Sequence, residues 1–238
     1  MRALLCLSMV VSASHVAVRA QAPSTQALDP EMDFSGVYVG VRAFQKPDVY
    51  PFTAEGERAL SAHDPLVGDP SRYDCVLEDM PRVLLWGVTV MQIAHEDGRI
   101  EMSVERGDTV RSIHMDGTAP PADQRHTEVG HSVGHWVGEV LTVETTHLAG
   151  GVMSADEGHP VSRETRITER YWRNPGENDL QMELVIHDPV NYTQPVRFER
   201  EWIWTPDERV HPYNCFSLEL DESEPVDIDE LKRRLEQL

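Results

Sequence analysis

Hydrophobic and polar residues alternate with a period of two along most of the chain after residue 83, and an earlier run within 34–44 does the same. That period predicts β-strands with one buried face, separated by short turns rich in Gly, Asp and Pro. Three pairs of neighbouring runs are close enough in sequence to form hairpins. The predicted strands lie at 34–44, 88–95, 99–106, 109–115, 131–136, 140–148, 162–173, 180–188, 195–204 and 209–215.

Nine or ten short strands joined by tight turns are typical of a closed antiparallel barrel or of a sandwich. A closed barrel has no exposed sheet edge, and a barrel of about eight strands can hold a small ligand. We therefore predict an all-β fold with a single antiparallel β-barrel.

Two stretches depart from the strand pattern. Thr53 precedes the run EGERALSAH at 55–63, which predicts a short helix after the first strand, and a loop rich in Pro and Asp follows it. The last residues, DIDELKRRLEQL at 227–238, predict a short charged C-terminal helix.

The first 21 residues have the layout of a secretory signal. Arg2 is a basic start, an apolar run follows, and small residues at Ala20 and Ala22 suit a signal peptidase. The apolar run is too short and too poorly flanked to span a membrane. We predict a secreted or periplasmic protein. Its segments are a signal peptide at 1–21, a polar leader at 22–33, the barrel domain at 34–216 and an acidic tail with a short helix at 217–238.

Removal of the signal would leave two cysteines, Cys75 and Cys215. An even pair in an exported protein predicts one disulfide bond. In the chain-entropy model, a loop of this length stabilises the fold by up to ~4 to 5 kcal/mol. A reactive thiol is the alternative, but Arg72 is the only basic residue near Cys75 that would activate it.

The formal net charge of −20 narrows the range of partners. Binding to nucleic acid needs clustered Lys and Arg, so neither nucleic acid nor an anionic membrane surface is a predicted partner. A neutral, apolar or cationic small molecule fits better. The alternative is that the charge simply keeps an exported protein soluble.

His131 and His135 lie four residues apart in the run GHSVGHWVGEVLTVETTHL, a spacing that would direct both rings at one metal ion on a helix. Gly130, Gly134 and Gly138 disfavour a helix here. On a strand, residues four apart are separated by ~13 Å. Two nitrogens bound to one zinc ion lie only ~3 to 4 Å from each other. We therefore predict no metal site.

The same strand spacing places both histidines on one face of the second hairpin. Thr142, Glu144 and Thr146 share that face, whereas the opposite face is mostly apolar. The polar face is either a solvated exterior or the lining of a polar lumen, and the pattern leaves both open.

In the third hairpin, Glu169 and Tyr171 share a face with Ile167, which predicts that both point inward. An inward carboxylate is unfavourable unless it is paired or used. Glu105 and Arg111 are a candidate ion pair, either inside the barrel or across strands on its surface.

Several motifs occur in a fixed order between residues 34 and 215. They are Phe34-Ser35-Gly36-Val37, Cys75 to Arg82, Ile113 to Gly117, Gly130 to Thr145, Glu169-Arg170-Tyr171 and Asp188 to Pro195. This ordered set resembles a large group of uncharacterised exported bacterial proteins with a GHSxGxWxG motif. The resemblance implies a lipocalin-like barrel and no particular activity.

Three details of the resemblance bear on function. Gly36 and Tyr38 are similar to the G-x-W opening of lipocalins, with Tyr in place of Trp. His131 falls on the histidine of the group, whereas His135 stands where the group usually has another basic residue. The run RGD at 106–108 replaces an aromatic-rich stretch, which indicates a different ligand.

The chain contains no nucleophile elbow, phosphate loop or dinucleotide motif, which leaves acid–base chemistry without a cofactor. Our first hypothesis is a lyase, isomerase or cyclase that acts on a small organic molecule in the lumen. His131 would be the base, Glu169 the acid or orienting group, and Tyr171 a donor to developing negative charge. The predicted substrate-binding residues are Glu105, Arg111, His135, Glu144 and Thr146. The alternatives are a carrier for a small apolar ligand and a structural module that binds nothing.

Overall fold

The computed structural model describes residues 32–41, 45–65, 78–85, 87–96 and 98–215. Nine strands in these ranges form a closed barrel. They are β1 (Gly36–Gly40), β2 (Val90–Glu96), β3 (Arg99–Val104), β4 (Thr109–His114), β5 (His131–Val137), β6 (Val140–Thr146), β9 (Arg166–Arg173), β10 (Leu180–His187) and β11 (Val196–Trp204). A separate two-stranded hairpin consists of β7 (Gly151–Val152) and β8 (Pro160–Val161), and the helices are α1 (Ala54–Ala62) and α2 (Arg82–Leu85).

The barrel strands follow the order β1-β11-β10-β9-β6-β5-β4-β3-β2 around the wall. Alternate side chains point into the core, as in β10, where Leu180, Met182, Leu184 and Ile186 are all buried. Burying each such side chain stabilises the fold by about 1.5–3 kcal/mol. The prediction of a β-barrel from the period of two is confirmed.

One seam of the barrel contradicts the prediction of a wholly antiparallel sheet. β4 and β5 pair in parallel over only two residue pairs, Ile113 with Ser132 and His114 with Val133. The reason is the long connection 115–130. It carries the chain from the end of β4 back toward the end of the barrel at which β4 begins, so that β5 can run in the same direction as β4. The barrel is therefore mixed.

Helix α1 confirms the short helix predicted after the first strand. The Thr53 hydroxyl accepts a hydrogen bond from the Gly56 amide at 3.0 Å, which caps the helix. A Cβ at Gly56 would overlap with the Asn191 carbonyl, so the glycine lets the helix approach the loop after β10 closely.

Helix α2 and the residues before it form a plug at one end of the barrel, and the sequence did not predict it. Met80, Val83, Leu84 and Leu85 are all buried. The guanidinium of Arg200, which points inward from β11, donates a hydrogen bond to the Leu84 carbonyl. The plug is thus fixed to the barrel interior.

Ion pairs also hold the plug. Arg82 lies 2.7 Å from Glu78 and 2.9 Å from Asp79, and Arg106 lies 2.8 Å from the other oxygen of Glu78. Arg106 belongs to the turn between β3 and β4, so the plug is tied to the wall of the barrel as well.

At the opposite end, the residues before β1 close the barrel. Phe34 is buried, packs edge-on against Trp136 with ring centroids 5.1 Å apart, and is covered by the Arg173 guanidinium. Arg173 also donates to the Tyr38 hydroxyl at 2.6 Å. Tyr38 thus takes part in a buried polar contact at the position where the sequence resembles the lipocalin opening.

One predicted strand does not form, and several predicted segments lie outside the described residues. The run 209–215 forms no strand, because Pro212 has no amide proton to donate and Asn214 adopts a positive φ of 47°. The signal peptide at 1–21, most of the leader and the C-terminal helix lie outside the described residues. Within the ranges that the structure describes, no helix is both long and apolar enough to cross a membrane.

Candidate functional site

A buried polar cluster lies inside the barrel around Glu169. Both terminal guanidinium nitrogens of Arg111, Nη1 and Nη2, donate to its carboxylate oxygens, at 2.9 and 3.0 Å, and the Tyr171 hydroxyl donates at 2.6 Å. Two hydroxyls complete the cluster, since Arg111 Nε donates to Ser132 and Thr145 donates to Glu169 at 3.3 Å. The cluster joins four strands, β4, β5, β6 and β9, from within.

The electrostatics of this cluster favour a structural role. Burial raises the pKa of Tyr171 well above its ordinary value, and the neighbouring Glu169 charge raises it further. Burial alone would lower the pKa of Arg111, but the Glu169 charge reverses this and raises it. The phenol therefore stays protonated and the guanidinium stays charged. Bidentate pairing of this kind satisfies both buried charges.

Glu169 and Tyr171 lie in the interior, on the face that the alternation predicts, but the other predicted catalytic residue does not join them. His131 follows the opposite alternation to Ser132, whose hydroxyl points inward to Arg111. His131 therefore lies on the outer wall, and its predicted position in a lumen is wrong. The physical reason is that Ser132 and Thr145 supply the inward polar groups of this hairpin.

The remaining predicted binding residues are also dispersed. His135 and Glu144 are exposed on the outer wall, and Thr146 lies on the same outward face. The candidate pair of Glu105 with Arg111 is wrong, because Arg111 pairs with Glu169 instead. The Glu105 carboxylate accepts a hydrogen bond from the His211 amide at 3.2 Å.

The outer wall next to His131 carries other histidines. The His131 ring stacks on His114 with centroids 4.7 Å apart, and the pair covers the seam between β4 and β5. Burial lowers the pKa of His131, and although a hydrogen bond to the Thr118 backbone raises it, the net shift is downward. His114 and His147 contribute to that lowering through their charges.

A cavity of about 420 Å³ opens at the end of the barrel that holds the plug, and we call it the Tyr50 cavity. Tyr50 and His159 stack at its wall with ring centroids 3.8 Å apart. Phe198 reaches it from the barrel interior and Leu85 from the plug. Its lining consists of Lys46, Tyr50, Leu85, Gly87, Val88, Met153, Ser154, Glu157, His159 and Phe198.

The hairpin of β7 and β8 carries the loop that supplies His159. The Met153 amide donates to the His159 carbonyl and the Gly158 amide to the Ser154 carbonyl, both at 2.8 Å. His63, at the end of α1, hydrogen-bonds the Ala155 carbonyl at 2.7 Å. A Cβ at Gly158 would overlap with the His63 ring, so this position requires glycine.

Charged groups lie at the rim of the Tyr50 cavity. Lys46 Nζ is 2.6 Å from one carboxylate oxygen of Glu157, and His159 Nδ1 is 3.4 Å from the other. Burial lowers the pKa of His159, with Glu157 opposing this effect and Lys46 adding to it. Burial raises the pKa of Tyr50 to about 12, with a contribution from the Glu157 charge. At neutral pH, Tyr50 is therefore protonated and His159 is neutral.

A second cavity of about 390 Å³ lies outside the barrel, between the segment 45–51 and the start of β11. It shares Lys46 with the Tyr50 cavity and is otherwise separate. Neither cavity is lined by Glu169 or Tyr171, so the buried polar cluster and the cavities are different features of the molecule.

Comparisons with known proteins identify no family. No family model matches the chain, and no curated protein matches it either. The apo structure of Caenorhabditis elegans lipid binding protein 8 (LBP-8) is similar at a TM-score of 0.37 and 9% sequence identity, over 72% of this chain and 95% of that chain. The closed barrel of the present chain is therefore established by its own strand pairing.

The sequence did not predict the Tyr50 cavity. Lys46, Tyr50, His159 and Phe198 come from distant parts of the chain, and no periodic pattern links them. The residues between 153 and 159 lack a strand or helix period, and only the close spacing of Glu157 and His159 hints at a polar site.

Two further predictions concern metal and cysteine. No group of three or more His, Cys, Asp or Glu side chains is placed to hold a metal ion in the part of the chain that the structure describes. Cys75 lies outside the described residues, so its disulfide with Cys215 stays a prediction.

Proposed function

We propose that this protein binds a small, electrically neutral organic molecule in the Tyr50 cavity. The observation that carries the proposal is the cavity itself. Its volume of about 420 Å³ falls within the ~300–1,000 Å³ of ordinary small-molecule sites. Tyr50, Leu85, Met153 and Phe198 supply apolar walls, which provide most of the contact area that a ligand needs.

The charge balance of the cavity supports a neutral ligand. Lys46 and Glu157 pair with each other, and His159 is uncharged at neutral pH because burial lowers its pKa. A ligand with a net charge would meet no unpaired opposite charge among the lining residues. Ser154 and His159 remain to hydrogen-bond one polar end, which would fix the orientation of the ligand.

Binding fits the residues better than the acid–base mechanism first predicted from the sequence. That mechanism needs His131 beside Glu169 and Tyr171, but His131 lies on the opposite face of the wall. We also propose that the protein meets its ligand outside the cytoplasm, because residues 1–21 have the pattern of a cleaved signal.

A cavity-filling variant tests the proposal. Gly87 lines the cavity, and a Cβ there would have no atom within 4 Å, so Gly87→Phe would add its ring to the open space without backbone overlap. Nile red, a neutral apolar dye whose fluorescence rises on leaving water, serves as the probe. We expect saturable binding to the wild-type protein and at least about tenfold weaker binding to the variant, equal to about 1.4 kcal/mol.

Val137→Phe is the matched control, because it adds the same ring at an exposed position of β5 away from the cavity. It should bind the dye as the wild type does. Equal dye affinity of Gly87→Phe and the wild type, or no saturable binding by the wild type, would contradict the proposal.

A further inference from the structure

We propose that His159 is a general base that removes a proton from a neutral C–H acid bound in the Tyr50 cavity, with Glu157 as its positioning residue. This inference rests on the proposed binding function and adds a reaction to it. It assigns acid–base chemistry to residues other than those that the sequence pattern suggested.

The first support is the arrangement of the two ring nitrogens. Nδ1 of His159 lies 3.4 Å from the Glu157 carboxylate, which favours the tautomer with its proton on Nδ1. Nε2 then carries the lone pair. It makes no hydrogen bond to any described residue, and the side chain lines the cavity. A base oriented through one nitrogen and open at the other is the arrangement that proton abstraction needs.

The second support is the rigidity of the residue's surroundings. The ring stacks on Tyr50, and the hydrogen bonds of His63 and Gly158 hold the loop from which it projects. The loop is itself fixed between β7 and β8. Catalytic groups held by packed neighbours need little reorganisation when a substrate binds.

The third support is the protonation state. Among the described residues, the charged groups that face His159 are Glu157 and Lys46, and Tyr50 is a protonated neighbour. Burial lowers the pKa of His159, so its neutral form, which is the base, predominates at pH 7. Lys46 pairs with Glu157, and its positive charge limits how far the carboxylate raises the pKa of His159.

The cavity also defines the class of substrate and reaction. A substrate would be a neutral molecule with an acidic C–H bond and a leaving group on the adjacent atom. Nε2 takes the proton, the C–H electron pair forms a new π bond, and the bond to the leaving group breaks with its electron pair. The imidazolium then returns its proton to water or to the leaving group. No oxidant, reductant or cofactor takes part in this elimination.

The probe reaction is the ring opening of 5-nitrobenzisoxazole, a neutral aromatic C–H acid. Removal of its C3 proton forms a nitrile while the N–O bond breaks, and the coloured phenolate product is followed by absorbance. We expect the wild-type protein to catalyse this reaction with saturation. His159→Gln should lower kcat/KM by about 10²-fold or more, the usual contribution of a general base.

Glu157→Gln separates a positioning role from a purely structural one. Because the Glu157 charge raises the pKa of His159, its removal should shift the rise of kcat/KM with pH to lower pH and reduce the plateau rate. A substitution that only loosened the loop would lower the rate without moving the inflection. His187→Gln, an exposed histidine on the outer wall of β10, is the matched control and should leave rate and profile unchanged.

Nile red binding by the same variants distinguishes the two proposals. Saturable dye binding by His159→Gln together with a lost rate supports both binding and a catalytic base. Dye binding by the wild type without any turnover of the probe, or an unchanged rate in His159→Gln, overturns the base and leaves the binding function in place. If the wild type neither binds the dye nor turns over the probe, both proposals fail.

Discussion

Glu169 is held in the barrel interior by donors from three residues: the Arg111 guanidinium, the Tyr171 hydroxyl and the Thr145 hydroxyl. Since all four side chains are buried, solvent is not available to replace any of these hydrogen bonds. Backbone hydrogen bonds connect each strand only to its neighbours around the wall. The cluster therefore acts as an additional crosslink between strands inside the barrel. The cluster is stable because each buried charge is compensated by its partner, and a buried charge without its partner is strongly destabilising.

Glu169→Gln tests this role at the residue scale. The substitution keeps the shape but leaves the Arg111 charge uncompensated, so the free energy of unfolding should fall by about 3–5 kcal/mol. Urea unfolding measures it. Glu199→Gln, an exposed position on β11, is the control and should change stability by less than about 0.5 kcal/mol. A loss of similar small size at Glu169 would refute the crosslink.

Gly158→Ala tests the loop that presents His159. Gly158 has a φ of +70°, and a Cβ would also overlap with His63. Gly176→Ala is a matched control, since Gly176 has a φ of +81° but no atom within 4 Å of an added Cβ. Backbone strain should cost each variant about 1 kcal/mol, as urea unfolding measures, and the overlap with His63 should add to the loss at Gly158.

Only the variant at Gly158 should also weaken Nile red binding, because only there must the cavity loop move. If both variants bind the dye equally well, the contact between His63 and the loop does not shape the cavity.

At the scale of elements, the seam between β4 and β5 is the weakest join of the barrel wall. Two parallel residue pairs connect these strands, whereas β9 and β10 share eight antiparallel pairs. The Arg111 to Ser132 hydrogen bond spans the seam from inside, and the stack of His114 on His131 covers it outside. The seam therefore depends on side chains more than the other joins do.

Acid should weaken this seam. Burial lowers the pKa of His131 in the folded state, so the unfolded chain binds more protons as the pH falls through about 6.5. The histidine contribution to stability is fully present above that pH and is lost below it. His95 and His159, whose pKa values burial also lowers, act in the same direction.

The test compares urea unfolding at about pH 7.5 and about pH 5.5, which bracket the ordinary histidine pKa. His131→Gln should show a smaller loss of stability between the two conditions than the wild type, and His187→Gln should show the wild-type loss. A variant at His131 that loses as much as the wild type would mean that this residue does not contribute to the acid response.

The elements differ in how far sequence alone predicts them. The barrel strands were predictable because each carries its own burial pattern, as β10 does with its alternate apolar residues. The parallel pairing of β4 with β5 was not, since it depends on the path of residues 115–130. The plug at Met80 to Leu85 was missed because its four-residue helix makes little more than one turn of 3.6 residues, so no repeat of its pattern is visible in the sequence.

Among candidate site residues, the inward direction of Glu169 was readable from Ile167 and Tyr171 beside it in the strand. The outward direction of His131 was not, because Ser132 and Thr145 are also polar and the partner inside, Arg111, lies on another strand. The Tyr50 cavity required the tertiary structure, since its residues meet only when α1, the β7–β8 hairpin and β11 are assembled.

At the scale of the whole molecule, the barrel is closed by different means at its two ends. Phe34 and Arg173 close one end, and the plug with its ion pairs fills the other, leaving the Tyr50 cavity beside it. The Tyr50 cavity, where we propose that the ligand binds, thus lies at the mouth of the barrel and outside the buried polar cluster. Binding at the mouth leaves the Arg111–Glu169 crosslink intact.

The predicted disulfide between Cys75 and Cys215 also belongs to this scale, because it would close a loop over most of the domain. Its removal in a Cys75→Ala, Cys215→Ala double variant should lower the free energy of unfolding by up to ~4 to 5 kcal/mol. Mass analysis after thiol alkylation without reductant provides the direct check. Alkylation of both Cys75 and Cys215 would rule the bond out.

The most direct test of ligand binding in the Tyr50 cavity is methyl NMR of the methionines during titration with Nile red. Met153 lines the cavity, whereas Met182 is buried in β10 and lines neither cavity. The aromatic dye should shift the Met153 methyl signal in proportion to occupancy and leave the Met182 signal in place. A saturable shift at Met182 with none at Met153, or no shift at either, would contradict binding in this cavity.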